Sequence, residues 1–412
     1  MDWYYYIALA AIISQLLFLF QMCNNYRYAV RKYSKERSWY RPRTVLIVPC
    51  KGLDAAFEQN ITSFFNQDYD NYLLWFVVGA ESDPAYAELC RLKNQLSQSS
   101  KAQDVQVFIS GKSQTCSQKN HNLLYCYQRI DNDIDVMAFA DSDICVQSNW
   151  LSHLVYPLRK SKYGAASGYR WYVPKQNNSA SLALSAMNAK VAQLLGNTRF
   201  NQAWGGSMAI RVNVFRKLGL DKIWSKSLSD DLSLSVAVKK AGMVVAFVPA
   251  CLAASHEVTT WRQLFEFARR QFIITRFSAP KTWLFGLFSG FYSVLGIWAA
   301  AGVAIYARAI GHENSTGHPK ALLLFAAVPV VFFVSQLIRA MLRQRMAGKL
   351  LEQERHKMRA ARAADIFGFW LWSILMLILI VSSAFGRTIC WRGIRYKLLG
   401  PTEIIVEGSP AQ

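Results

Sequence analysis

The chain has 412 residues, of which 52% are hydrophobic, and a formal net charge of +21. This length accommodates a soluble domain of ordinary size together with a membrane part. Its eight cysteines are scattered without a Cys-x-x-Cys pair, which argues against a disulfide framework or a zinc site. The excess of Lys and Arg lies beside apolar runs, so it favours an anionic membrane face over a nucleic-acid partner.

An apolar run near the N-terminus is long enough to cross a bilayer. It extends from Tyr4 to Met22, and no clear cleavage site follows it, so the sequence predicts a retained anchor over residues 1–26. Seven basic residues follow between Arg27 and Arg43. Because positive residues flank the cytoplasmic end of a span, the next domain is expected in the cytosol, at the inner membrane if the cell is bacterial.

Residues 43–260 alternate between strand-like and helix-like patterns. Apolar runs begin at Thr44, Tyr72, Val105 and Val136, and helical patterns separate them. This alternation predicts an α/β fold with a mostly parallel sheet and crossover helices. Later in the domain, the sequence predicts an extended stretch at 163–173, a helix at 179–195 and a glycine-rich turn entering a strand at 203–211. A helix opened by two aspartates follows at 229–232, and a last strand at 244–248.

The apolar run that begins at Val136 stops at two carboxylates, Asp141 and Asp143. Because the run is hydrophobic on both faces, it predicts a buried strand. Ligands of open α/β sheets sit beyond the carboxyl ends of the strands. An Asp-x-Asp at that point suits a hard divalent cation shared with a substrate diphosphate, although the same triplet is also ordinary turn chemistry.

Three further apolar runs follow an aromatic and basic amphipathic segment, residues 261–280, which predicts a helix in the membrane interface. Each run can span a bilayer within a membrane region at 281–386: Trp283–Tyr306, Ala321–Ile338 and Ile366–Val381. The loop Arg339–Asp365 holds eight Lys and Arg, and both it and a basic tail at 387–412 are expected on the cytoplasmic side. Four alternating spans would place that tail outside, a conflict that disappears if one run is re-entrant or interfacial.

Seven short motifs follow one another in a fixed order: Pro49–Asp54, Asp68-Tyr69, Asp83-Pro84-Ala85, Asp141-Ser142-Asp143, Gly206-Ser207-Met208, Asp230-Asp231 and Trp391-Arg392-Gly393. In this order they resemble the ceramide glucosyltransferases, and bacterial enzymes that glycosylate hopanoid-type lipids look similar. The resemblance covers about Val45 to Tyr396. It implies a glycosyltransferase-A-type domain and an inverting, family-2-type membrane glycosyltransferase.

The resemblance also implies roles for individual residues. It makes Asp141 and Asp143 the site of the metal, Mg²⁺ or Mn²⁺, and of the donor. It makes Asp231 the catalytic base, with Asp230 beside it. Arg270 matches the arginine of the family's Gln/Arg-x-x-Arg-Trp element, although glutamine replaces the tryptophan that follows. For the aspartate pair, the alternative is that it only caps a helix.

Other residues are expected to bind the nucleotide sugar: Pro49, Lys51, Gly52, Glu81, Lys119, Asp141 and Gly206. Relatives carry an acidic residue just after the second strand, and Glu81 is the acidic residue of this chain nearest to that position. His256 is a candidate for a further metal or phosphate ligand. The alternatives are a solvated helix face for Lys119, a plain tight turn at Gly206 and a structural histidine at His256.

The sequence therefore predicts a membrane-anchored enzyme that moves a hexose, with glucose the family's usual sugar, from a UDP-sugar to a lipid hydroxyl. A ceramide-like acceptor is favoured, and a hopanoid-type lipid is the first alternative. A processive polysaccharide synthase is a second, although such enzymes carry the Gln-x-x-Arg-Trp element intact and have more spans. A membrane scaffold, whose carboxylates only cap helices, is the non-enzymatic alternative and would bind no nucleotide.

Overall fold

Thirteen α-helices and ten strands form the part of the chain that the computed structural model describes, residues 2–35, 39–54, 56–313 and 319–407. The helices are α1 (Asp2–Tyr33), α2 (Phe57–Phe65), α3 (Pro84–Leu96), α4 (Gln118–Tyr127), α5 (Trp150–Val155), α6 (Ser179–Ala192), α7 (Val212–Lys217), α8 (Leu220–Trp224), α9 (Asp230–Lys240), α10 (Trp261–Ser278), α11 (Pro280–Glu313), α12 (Pro319–Leu350) and α13 (Arg359–Ser382). The strands are β1 (Thr44–Pro49), β2 (Tyr72–Val78), β3 (Asp104–Ile109), β4 (Val136–Ala140), β5 (Tyr163–Pro174), β6 (Ser207–Arg211), β7 (Val244–Glu257), β8 (Thr388–Trp391), β9 (Ile394–Gly400) and β10 (Glu403–Val406).

The first seven strands form one sheet in the order β3-β2-β1-β4-β6-β5-β7. Six of them run in the same direction, and only β6 is antiparallel to its neighbours β4 and β5. The predicted α/β fold with a mostly parallel sheet is confirmed. Because β6 is reversed, its first residue, Ser207, lies opposite Ala140 at the end of β4, which brings the glycine-rich turn to the carboxyl edge of the sheet.

Helices cover both faces of this sheet, which explains why its central strands are apolar at every position. In β1, Leu46 and Val48 face a cluster that includes α2, α3 and α5. The alternate residues Val45 and Ile47 face the opposite cluster, to which α4, α7, α8 and α9 contribute. All four side chains are fully buried, and each contributes about 1.5–3 kcal/mol of hydrophobic stabilisation. This two-sided burial fixes the strand ends that carry the site.

Two features of the domain differ from the prediction. Strand β7 continues to Glu257, nine residues beyond the predicted end at Val248, because it pairs in parallel with the long strand β5. The short helices α5, α7 and α8 escaped prediction because five or six residues are too few to show a helical period.

The segment predicted as a basic tail, 387–412, forms a second, three-stranded sheet over its described part. Its strands β8, β9 and β10 are antiparallel, and they bury Ile389, Tyr396 and Leu398 against Ile273 and Ile274 of α10. The sequence suggested a tail because alternating Lys and Arg mark the exposed face of β9, with apolar residues between them. The C-terminal sheet therefore packs on α10.

Four described helices are long and apolar enough to cross a membrane: Tyr5–Tyr33, Pro280–Ala309, Ala326–Leu350 and Arg359–Ser382. They correspond to the four apolar runs of the sequence. Helix α13 packs along α6 of the α/β domain, where Lys190 donates to the main-chain oxygen of Phe369 at 3.2 Å.

Both ends of α13 also contact the domain-proximal ends of α11 and α12. At its start, Asp365 accepts a hydrogen bond of 2.6 Å from Arg343 Nε, near the end of α12. At its end, Ser383 Oγ accepts a hydrogen bond of 2.8 Å from Trp283 Nε1, in the first turn of α11. Helix α13 thus connects two points on the same side of the helical bundle.

Candidate active site

Four carboxylates converge at the carboxyl edge of the large sheet. Asp141 and Asp143 follow β4 directly, and Asp230 and Asp231 open α9. The predicted residues of two separate motifs are therefore neighbours, although about ninety residues of chain lie between them. What joins the two pairs is a lysine from a third element.

Lys119, in the first turn of α4, is the cation between the two pairs. Its Nζ lies 2.7 Å from Asp141 Oδ1 and 3.0 Å from Asp230 Oδ2, and its side chain is only 12% exposed. Burial alone would lower the pKa of Lys119, but Asp141, Asp230 and Asp231 outweigh that effect and raise it, so the lysine stays charged. The alternative of a solvated helix face does not describe this side chain.

The two carboxylates that contact Lys119 are affected differently by it. For Asp141, burial alone would raise the pKa, but Lys119, Arg170 and Arg392 together hold it below the usual value. For Asp230, burial is the larger effect and raises the pKa to about 6, despite Lys119. Asp141 is therefore the firmly ionised member of this pair at neutral pH.

Arg170 of β5 is a second buried cation of the site. Its Nη2 lies 2.8 Å from Asp143 Oδ1 and 3.9 Å from Asp141 Oδ2. The guanidinium group stacks 5.0 Å from the ring of Trp204, which also meets Tyr169 edge-on with ring centroids 6.2 Å apart. Trp204 and Tyr169 therefore form an aromatic surface beside the carboxylates. Surfaces of this kind bind the apolar face of a sugar or a lipid.

Asp230 and Asp231 begin α9, but neither is its capping residue. Ser229 is the N-cap, and its Oγ accepts a hydrogen bond of 3.1 Å from the main-chain nitrogen of Leu232. Asp231 instead accepts hydrogen bonds from Ser229 Oγ (2.6 Å), Leu232 N (2.7 Å) and Gly205 N (2.9 Å). Asp230 is buried, whereas Asp231 is partly exposed, and its three hydrogen bonds leave the carboxylate able to accept one more.

The glycine-rich turn before β6 is packed directly on these side chains. A Cβ atom at Gly205 would overlap the Asp230 carboxylate and the Lys119 ammonium group, and one at Gly206 would overlap the ring of Trp204. Neither glycine has a positive φ, so the requirement is for space. The turn thus approaches these side chains too closely for a Cβ atom, a requirement that a plain tight turn does not have.

The predicted nucleotide-binding residues Pro49, Lys51 and Gly52 lie at and just beyond the carboxyl end of β1. Gly52 has a φ of +69°, and its N–H donates to Asp83 Oδ1 at 2.8 Å. Asp83 also caps α3 through Ala85 N. Glu81 is exposed in the turn after β2, so among the acids that follow this strand Asp83 is the one that holds the loop.

The C-terminal sheet reaches the same loop. Lys51 Nζ donates to the main-chain oxygen of Arg392 at 2.7 Å, and Arg392 Nη1 donates back to the oxygen of Lys51 at 2.8 Å. Arg392 has a φ of +50°, and its charge also acts on Asp141. Arg270 lies on α10 and donates to the oxygen of Cys390 at 3.4 Å, so it contacts this sheet rather than the carboxylates.

His256 is not brought to the carboxylates. It lies near the end of β7, where its Nε2 is 3.0 Å from Glu354 Oε2 in the loop before α13. Within the described ranges, no group of three or more His, Cys, Asp and Glu side chains is arranged to hold a metal ion.

Three residues of the site were missed by sequence reasoning. Arg170 lies in an extended aromatic stretch with no motif around it, and only its β5 register places it beside Asp143. Arg392 belongs to a motif of the resemblance, but a sequence cannot show that a C-terminal hairpin turns back to β1. A third, Trp204, was visible in the glycine-rich motif without any sign that it would face Arg170.

Comparisons with known proteins identify the family of the chain. The family model described as Glycosyl transferase family 21 matches residues 4–404. One similar solved structure is the mannosyltransferase PcManGT from Pyrobaculum calidifontis in complex with GDP-Man and Mn²⁺, at 15% identity and a TM-score of 0.46, covering 92% of this chain and 97% of that one. Another is GalNAc-T7 with UDP, GalNAc and Mn²⁺, at 12% identity and a TM-score of 0.39, covering 61% and 51%.

Proposed function

Because the chain belongs to glycosyl transferase family 21, we propose that it transfers a hexose from a UDP-sugar to the hydroxyl of a membrane lipid, with inversion at the anomeric carbon. Glucose is the proposed sugar and a ceramide-like lipid the proposed acceptor. The resemblance of the ordered motifs to ceramide glucosyltransferases supports this choice. The family model that matches the chain is that of family 21, whereas the resemblance of the motifs implied a family-2-type enzyme.

One observation carries the proposal. Asp141, Asp143, Asp230 and Asp231 meet around Lys119 and Arg170 at the carboxyl edge of the sheet, where ligands of such folds bind. A scaffold whose acids only cap helices does not need buried cations between them, because removing charges from water costs free energy that pairing often does not fully offset. The cap of α9 is moreover a serine.

Asp231 is the proposed general base. Its carboxylate is partly exposed, and three hydrogen bonds from Ser229, Leu232 and Gly205 fix its orientation. The remaining lone pair can accept the proton of the acceptor hydroxyl as that oxygen attacks the sugar. Asp230 is buried and ion-paired with Lys119, so its proposed role is to hold that lysine charge at the site.

Asp141 and Asp143 are the proposed metal-binding pair. Their carboxylate oxygens suit Mg²⁺ or Mn²⁺, and two protein ligands leave positions for diphosphate oxygens and water. When bound, such a cation would neutralise the charge of the departing diphosphate. Lys119 and Arg170 add fixed positive charge at the same edge, and Arg392 with Lys51 extends it toward the end of β1.

A transfer assay with a panel of nucleotide sugars and lipids tests the proposal. Full-length protein in detergent should make a glycolipid from UDP-glucose and a ceramide, with Mg²⁺ or Mn²⁺ present, detected as a mass increase of the lipid. A hopanoid-type lipid in place of ceramide would change the acceptor only. Absence of nucleotide-sugar binding would contradict the proposed enzymatic function. A polymeric product would favour a processive polysaccharide synthase.

The chain is proposed to be an integral membrane protein with its catalytic domain in the cytosol. In support, the basic last turn of α1 and the basic loop before α13 both lie where the domain meets the apolar helices. We further propose that α13 lies along the domain without crossing. This removes the conflict over the C-terminal segment, because that segment packs on α10 beside the site.

Labelling of two exposed native thiols checks this arrangement. Cys145 follows the metal pair and Cys390 lies in β8. A membrane-impermeant maleimide should modify neither thiol in intact cells and both after permeabilisation, with the variants Cys145→Ser and Cys390→Ser assigning each label. Modification of Cys390 alone in intact cells would mean that α13 crosses. Modification of both would place the domain outside.

A further inference from the structure

A basic cavity lies between the end of α12 and the start of α13, away from the carboxylate site. Its volume is about 240 Å³, and its lining residues are Arg355, Arg359, Arg362, His356, Gln344 and Gly348, with Met358 beneath. No Asp or Glu is among them. The cavity therefore presents three guanidinium groups to whatever enters it.

Two carboxylates near this cavity, Glu354 and Asp365, are engaged elsewhere. Glu354 bonds to His256 at 3.0 Å and to Lys357 at 3.1 Å. Asp365 is fully buried and paired with Arg343, and it also accepts from Gln344 at 2.7 Å. None of the three cavity arginines forms an ion pair with a residue in the described ranges. Their positive charge is thus available to a ligand.

The start of α13 adds to this positive potential. The helix begins at Arg359, and the residue before it, Met358, provides no side-chain cap for its first turn. Unpaired main-chain N–H groups at a helix start carry partial positive charge and bind anions. The same turn contributes two of the three cavity arginines, so side-chain and main-chain donors lie together.

We propose that this cavity binds the phosphate group of an anionic membrane lipid. A guanidinium group can donate two parallel hydrogen bonds to the oxygens of one phosphate group. The volume is below the roughly 300–1,000 Å³ of sites for drug-sized ligands, so it suits a headgroup rather than a nucleotide. The cavity also lies near the end of α12, a helix that is apolar enough to span a membrane, and the end of a span meets the lipid headgroups.

Such binding would orient the catalytic domain on the bilayer. The loop that lines the cavity is tied to β7 through the His256–Glu354 pair, and Met358 packs in one cluster with Trp171 of β5. A lipid phosphate held there would fix the membrane surface relative to the strands that carry the site. The inference does not depend on the transfer reaction.

The test compares two charge-matched variants of the full-length protein in detergent, without phosphate in the buffer. Arg359→Gln/Arg362→Gln removes two charges from the cavity. Arg345→Gln/Lys349→Gln removes two exposed charges from α12 that do not line it. Thermal unfolding is followed against added phosphatidylglycerol, phosphatidylcholine or inorganic phosphate, and the half-saturating concentration is measured for each.

Phosphatidylglycerol should stabilise the wild type saturably, and phosphatidylcholine much less. The cavity variant should need on the order of tenfold more phosphatidylglycerol, because two charge-assisted contacts are lost, while the control stays within about twofold. Should the double variant be unfolded without lipid, Arg362→Gln alone should shift in the same direction. Equal weakening in both double variants would indicate diffuse surface charge and overturn the site. Stabilisation by inorganic phosphate alone would overturn the lipid assignment.

Discussion

Asp231→Asn is expected to lower turnover on the order of a hundredfold or more, because the amide cannot accept the acceptor proton. The substitution is nearly isosteric. Its single oxygen can still accept from Ser229 and Leu232, although the hydrogen bond from Gly205 N to the other oxygen is lost. That loss costs about 1 kcal/mol of folding free energy, far less than the catalytic effect. Turnover and UDP affinity of the variant are measured together, and the affinity should change little.

The companion variant is Ser229→Ala, which removes the helix cap and one of the three hydrogen bonds to Asp231 but keeps both carboxylates. It should lower the free energy of unfolding by about 0.5–2 kcal/mol and leave turnover within a few-fold of the wild type. The cap and the base are thereby separated. Near wild-type turnover of Asp231→Asn would reduce Asp231 to a structural residue, and Asp230→Asn would then be the next variant to assay.

Asp143→Ala should remove most transfer activity and also weaken donor binding. The metal pair loses one carboxylate, and Arg170 loses its partner at 2.8 Å. Since a bound cation contributes several kcal/mol to the stabilisation of a leaving diphosphate, the loss of turnover should again be on the order of a hundredfold or more. The measurements are turnover and UDP-sugar affinity at saturating Mg²⁺ or Mn²⁺.

A chelator should reproduce the effect in the wild type, and added metal should reverse it. Asp133→Ala is the control for loss of a carboxylate, because Asp133 pairs with Arg43 on the surface. It should leave both activity and affinity unchanged. Full wild-type activity in excess chelator would contradict the metal assignment, whatever the effect of Asp143→Ala.

Much of the catalytic domain was predictable from local patterns. The runs at β1, β2 and β4 are apolar at every position because helices cover both faces of the sheet, and that burial leaves a direct trace in the sequence. The abrupt change from β4 to Asp141 marked the edge of the sheet at which the four carboxylates meet. The direction of β6 was not predictable, since an apolar strand pattern is the same in either orientation.

The sequence by itself determined the α/β class, the apolar helices and the acidic residues, because each depends on neighbours within a few positions along the chain. Only the tertiary structure decided which distant groups meet: Lys119 between Asp141 and Asp230, and Arg170 against Asp143. It also decided that the basic C-terminal segment folds as a sheet onto β1 and α10, and that His256 faces Glu354. The physical reason is that buried charges must find partners in space, and strand register and helix packing choose those partners.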